Sequence, residues 1–140
     1  MSVVNRPNAP GWTALSQKAL PWQAAVETKR RRLVAEVAAI FDDVDLILTP
    51  MSCMPPFAAE GPMPTEINGV AGHGGMAVVL AFLASIVNLP AVSIPAGLTA
   101  EGLPLGLQVI GKAFDEQGVL NAGLAIEQRA GFAAKPEKWW

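Results

Sequence analysis

The chain holds a single histidine, His73, and a single cysteine, Cys53. A Ser-His-Asp relay would therefore have to run through His73, which lies in Gly72-His73-Gly74-Gly75 with no acid close in sequence. No Gly-x-Ser-x-Gly turn occurs, and no serine stands three residues before a lysine. Gly72-His73-Gly74-Gly75-Met76-Ala77 fits a G-x-G-x-x-A phosphate loop opening a helix. No convincing strand precedes it, and no acidic residue lies about 20 positions on to hold a ribose. The stretch reads as a loop entering a helix, whose N-terminus could still favour an anion.

Metal ligands are scarce, and one cysteine can form neither an internal disulfide nor a zinc site alone. Asp42, Asp43 and Asp45 cluster where a helix should give way to a strand, and solvated capping explains them better than a metal or an acid/base pair. Lys29-Arg30-Arg31-Arg32 is a basic run on a helix, where consecutive residues point in different directions and form no single patch. At least two of them should face water; one half-buried arginine paired with a ligand carboxylate is the alternative. The residues alone thus reveal no catalytic apparatus.

The elements that must position these groups follow from periodicity. Trp22, Val26, Leu33, Val37, Ile40 and Phe41 recur at three- and four-residue steps, which predicts a helix from about Pro21 to Asp42-Asp43. Asp45 to Pro50 predicts a short strand buried on both faces. The prolines between residues 50 and 67 predict a long loop without regular elements. Met76 to Val87 is apolar except for Ser85, too short to span a membrane, and reads as a buried core helix. Residues 91–95 and 105–110 predict a β-hairpin. Asp115 should cap a last helix on which Val119, Leu120, Leu124 and Ile126 face inward, closed by Gly131. The fold class is α/β with a mixed sheet. Residues 1–18 read as an arm or linker remnant, 19–132 as the domain segment and 133–140 as a tail. Trp139 and Trp140 could anchor an interface or fray.

Composition narrows the function classes. The chain has 140 residues, 51% hydrophobic and 16% charged, with a formal charge of −2. Disorder throughout is excluded, and nucleic-acid binding, which favours a basic surface, is not expected. No apolar leader precedes Pro7, so a cytoplasmic location is expected, with no membrane partner. An apolar share this large in so short a chain either leaves a patch that wants a partner or reflects alanine content.

Four segments in order resemble the amidase signature family. Asp45-Leu46-Ile47-Leu48-Thr49-Pro50 is similar to its D-hydrophobic-L-T-P strand. Asn88 to Gly97 resembles its N-x-P-A-x-S-x-P-x-G segment, and Gly102 to Gly111 its G-L-P-x-G-x-Q-x-x-G strand. Phe114-Asp115-Glu116 resembles its F-D-E helix start. The resemblance spans about residues 20–130. It implies a C-terminal third of an α/β/α domain whose members hydrolyse amides or transfer ammonia released from glutamine. The family's Ser–Ser–Lys catalytic set lies in a glycine- and serine-rich stretch and upstream of it, and neither occurs here. The resemblance therefore implies no catalytic residue in this chain, no cofactor, no metal and no hydrolysis by the chain alone.

It further implies two substrate contacts. Arg30 would hold a carboxylate and Asp115 an ammonium, as in the glutamine-handling branch. The bland readings are a solvated Arg30 and a capping Asp115. The loop from Met51 to Pro64 would line the substrate funnel, with Met51, Met54, Phe57 and Met63 as an apolar wall. Expected partners are the remaining amidase portion, or a second copy joined through a sheet edge. The small-molecule amide belongs only to the intact enzyme. A non-catalytic component of a two-chain amidase is a further alternative.

Overall fold

Val37, Phe41, Ala84, Val87 and Ile110 are buried against one another, with Leu33, Val34, Ile47, Leu83 and Leu89 packed at their margin. Three segments far apart in sequence must meet to build that cluster. A computed structural model describes residues 12–72 and 74–131 of the chain. In order it contains helix α1 (Trp12–Ile40), strands β1 (Ile47–Pro50), β2 (Glu66–Ile67) and β3 (Val70–Ala71), helix α2 (Val79–Val87), strands β4 (Ala91–Leu98) and β5 (Pro104–Ile110), and helix α3 (Glu116–Ala130).

The sheet order is β1-β5-β4, with both pairings antiparallel. The hairpin predicted at 91–110 is present. Val109 faces Leu48 on one side and Val92 on the other, while Gln108 faces Thr49 and Ser93. Alternation along the strands puts Val92, Ile94 and Val109 on one face and Thr49, Ser93, Gln108 and Ile110 on the other. Helices α1 and α2 cover the second face through the Ile110 cluster. Helix α3 covers the first: a Cβ added at Gly123 would lie 3.1 Å from Val92 Cγ1 and 3.4 Å from Ile94 Cγ2. The result is a three-layer α/β/α arrangement, in accord with the predicted α/β class, although every strand pairing among the described residues is antiparallel where a mixed sheet was expected.

Helix ends follow local chemistry. Asn88 adopts φ 56°, its N–H and that of Leu89 both bond to the Ala84 carbonyl, and Pro90 prevents continuation. Asp115 accepts from the Gly118 N–H at 3.0 Å and Gly131 closes α3 at φ 60°. Both ends of α3 are as the sequence predicts.

Five expectations are corrected. Helix α1 begins at Trp12, so Pro21 lies inside it rather than in its first turn. The side chain of Pro21 is exposed, so the lost hydrogen bond falls on a solvated face. The loop after β1 does carry a small ladder, β2–β3. Asn68 and Gly69 both have positive φ, the type I′ signature of an Asn-Gly hairpin, and that dipeptide was the available signal. The segment 76–87 begins as a 3₁₀ turn at Gly74–Val78 and is not buried all round, because Met76, Val79, Phe82 and Ile86 are exposed. Strand β1 is not buried on both faces either, since Leu48 is 52% exposed. On α3, Val119 is buried as expected while Leu120 and Leu124 face outward. The last three share one feature: the described residues cover these apolar positions only in part.

The close approach of β5 to α3 sets a test. A Cβ at Gly111 would overlap the Val119 side chain, which is itself 2% exposed. Gly111→Ala is expected to destabilise the chain by about 1–3 kcal/mol, as overpacking does. Urea unfolding should show a lowered midpoint at constant slope, and an unchanged midpoint would refute the packing described.

Candidate functional site

Arg30 sits where α1 crosses the end of α2. Its Nε and Nη2 donate to the two Glu27 carboxylate oxygens, each at 2.9 Å, and its Nη1 donates to the Ile86 carbonyl at 3.3 Å. The fork-to-fork pairing comes from helical spacing, since Glu27 precedes Arg30 by three residues. The Ile86 carbonyl lies in the last turn of α2, the negative end of the helix dipole. Arg30 is thus half-buried and clamps two helices. Arg31 also bonds Glu27, at 3.1 Å, and Arg32 bonds Glu36 at 2.7 Å. Both are exposed, as the sequence reading of the basic run expects for at least two members. Arg30 lines a cavity of about 480 Å³ with Val26, Lys29, Leu33, Ser85, Ile86 and Asn88.

Asp115 lies elsewhere, at the start of α3, with one carboxylate oxygen engaged by Gly118. It lines neither the Arg30 cavity nor the two described next, so the structure does not bring the two residues into one pocket.

The loop after β1 forms an apolar cavity of about 410 Å³. Met51, Met54 and Phe57 meet Pro104, Leu105 and Leu107 of the hairpin there. Three of the four residues expected to form an apolar wall are present; Met63 is exposed and lies outside it. Gly106 is needed at this seam, because a Cβ there would come within 2.9 Å of Met51 Cγ. A further cavity, of about 350 Å³, lies between α2 and β4 and is lined by Met51, Ser85, Asn88, Ser93 and Gln108 among others. Sequence reasoning missed Gln108. Its signal was a lone amide in the otherwise apolar run Leu105 to Ile110.

Among the described residues no group of three His, Cys, Asp or Glu could hold a metal ion. Asp45 pairs with Lys112 at 3.2 Å in solvent, in keeping with a surface role for the acidic cluster. His73, Trp139 and Trp140 lie outside the described residues. No helix among the described residues is long and apolar enough to cross a membrane.

Hydrogen bonds from Arg30, then Arg31, hold the Glu27 carboxyl at about 2, below its ordinary 4.5. A carboxylate whose value falls on folding contributes stability above its unfolded value and loses it as pH falls toward the folded one. The α1–α2 clamp should therefore hold down to about pH 4.5 and weaken between there and about pH 2. NMR titration of the Glu27 side chain should give a midpoint near 2, moving up toward 4.5 in Arg30→Gln; an ordinary midpoint in the unaltered chain would refute the pairing.

With this geometry in place, the chain can be set beside known proteins. The amidase family model matches residues 3–120. A glutamyl-tRNA(Gln) amidotransferase subunit of Sphingopyxis alaskensis is 53% identical over 113 residues, which is 80% of this chain and 22% of that protein. Its counterpart in Novosphingobium aromaticivorans is 52% identical over 104 residues, 71% of this chain and 19% of that one. Among solved structures, a bacterial aryl acylamidase of the amidase signature family superposes with a TM-score of 0.73 at 28% identity, covering 86% of this chain and 25% of its own. The corresponding glutamyl-tRNA(Gln) amidotransferase subunit of Thermotoga maritima does so with a TM-score of 0.65 at 27% identity, covering 87% and 26%. The chain spans about a fifth of the length of the two sequence relatives. The order of its motifs, its β4–β5 hairpin and these matches agree: the chain belongs to the amidase family and corresponds to a C-terminal portion of the amidase-signature domain.

Proposed function

We propose that this chain is the C-terminal part of an enzyme acting on carbon–nitrogen amide bonds, and that it is inactive by itself. The observation that carries this is 53% identity to the Sphingopyxis amidotransferase subunit over only 22% of that protein's length. The exposed apolar residues support it. Phe82 on α2, Leu48 on β1 and Leu120 and Leu124 on α3 are each more than half exposed. Phe114, in the F-D-E motif, is 94% exposed and held at φ 65°, a strained conformation for a bulky residue. Such positions are suited to a covering layer, which the rest of the domain would supply. The nucleophile and its proton relay would come with that layer, and the cytoplasm is the expected setting.

In the assembled enzyme, Arg30 and Asp115 would contact substrate. Asp115 has a second carboxylate oxygen beyond its bond to Gly118, available to an ammonium. Arg30 would have to exchange Glu27 for a substrate carboxylate.

The test is reconstitution. The purified chain should release no ammonia from glutamine or a simple amide. Addition of the N-terminal part of the Sphingopyxis relative, the portion this chain does not match, should give amide turnover. Asp115→Asn, which retains the cap, should then raise KM about tenfold or more with kcat little changed. Turnover by the chain alone, surviving replacement of its five serines by alanine, would overturn the proposal.

The outer edge of β1 favours a second reading, a self-associating module. Met51 N–H bonds toward β5 at Gly106, so alternation turns the Leu48 N–H and C=O away from the sheet. An edge left unpaired by the described residues can pair with a second copy. Light scattering of the pure chain should then give a dimer; a monomer at high concentration would exclude this reading.

A further inference from the structure

Asn68 and Gly69 form the turn that joins β2 to β3, at φ 50° and φ 77°. Both are exposed, and a Cβ added at Gly69 would meet nothing within 4 Å. A turn of this type is closed by the residues on either side of it, here the Ile67–Val70 pair. The Gly69 N–H takes no part in that closure and makes no other backbone hydrogen bond among the described residues.

An asparagine carries an electrophilic carbon, Cγ, close to the backbone nitrogen of the next residue. That nitrogen is held back by a hydrogen bond on its N–H, by a bulky side chain beside it, or by regular structure that fixes the peptide. Asn88 shares the left-handed conformation, at φ 56°, yet the Leu89 N–H bonds to the Ala84 carbonyl at 3.0 Å and Leu89 brings a branched side chain. Asn121 lies inside α3, where the next N–H belongs to the helix ladder. Asn68 has none of these restraints. A glycine follows it, and its ladder is only two residue pairs long, a hairpin of marginal stability by itself.

We propose that Asn68 is a site of spontaneous, backbone-assisted deamidation, and that its conversion loosens the hairpin beside Cys53. The Gly69 nitrogen gives its proton to a solvent base and attacks Asn68 Cγ. An N–C bond forms, the Cγ–Nδ2 bond breaks, and ammonia leaves with a proton from water, closing a succinimide ring. Water then opens the ring at either carbonyl. Cleavage at Cγ gives aspartate in the original backbone. Cleavage at the former main-chain carbonyl gives isoaspartate, with the chain running through the side-chain carbon. The sum is amide plus water to carboxylate plus ammonium, with no oxidation or reduction.

The place of the hairpin gives this change a consequence. Ile67, Val70 and Ala71 line a cavity of about 150 Å³ together with Cys53, Met76 and Val79. Isoaspartate lengthens the main chain by a methylene, so the turn no longer fits the Glu66–Ala71 and Ile67–Val70 register. The new carboxylate finds no counter-charge in its own segment, because residues 50–71 hold Glu60 and Glu66 and no Lys or Arg. The inference stands on the turn and is independent of the amidase reading.

The test is incubation of the 140-residue chain in mildly alkaline buffer, followed by peptide mapping with mass spectrometry and by titration of its single thiol. Asn68 should gain about 1 Da on exchange of amide for acid, and part of the product should be methylated by an isoaspartyl methyltransferase. Asn88 and Asn121 should lag by about tenfold or more, since each needs local opening first. Cys53 of the aged chain should react with a soluble aromatic disulfide about threefold or more faster than that of the fresh chain. Asn68→Gly keeps a dipeptide suited to the turn and should show neither change. No mass gain at Asn68, an equal gain at Asn88, or a Cys53 reactivity that ages alike in Asn68→Gly and the unaltered chain would each overturn the proposal.

Discussion

Strand β5 is the constraint on which the molecule depends. It is the central strand, bonded to β1 on one side and β4 on the other, and Gln108, Val109, Ile110 and Gly111 are all buried. Ile110 joins the two helices on one face, and Gly111 admits Val119 of α3. A backbone at the centre of a three-strand sheet has its donors and acceptors fully committed, so both helical layers are positioned relative to it. The cost of a Cβ at Gly111 and the burial of an amide at Gln108 are two consequences of that crowding.

Away from β5 the order of burial reverses. Apolar side chains on the outer sides of α2, α3 and β1 meet water, although their residue types suit an interior. In a chain of this size one sheet covered by single helices cannot enclose every apolar position. The periodicity of these segments suits a packing environment larger than the described residues provide. That is consistent with a portion of an amidase-signature domain that spans about a quarter of its structural neighbours.

The two residues singled out for substrate show how local chemistry and tertiary placement separate. Asp115 is a helix cap by sequence and by structure, because a carboxylate just ahead of a helix needs only its own first turn. Arg30 could not be placed so simply. Glu27, three residues before it, was visible as a partner, but the Ile86 carbonyl comes from a helix 56 residues further on. Gln108 carries the same lesson in reverse. As a lone amide in an apolar run it offered little local signal, and its partners Thr49 and Ala81 lie 59 and 27 residues away.

Sequence alone determined what depends on neighbours a few residues apart: the caps of α3, the stop at Asn88-Leu89-Pro90, the hairpin and the order of the family motifs. These follow from backbone dihedrals and turn chemistry, which act over short separations. Tertiary structure alone decided which face of each element is covered, the pairing of β1 with β5 rather than with its nearer neighbours, and the enclosure of the polar row at Gln108. Hydrophobic burial has no preferred direction along a chain, so a pattern can announce that a face wants cover without saying what supplies it.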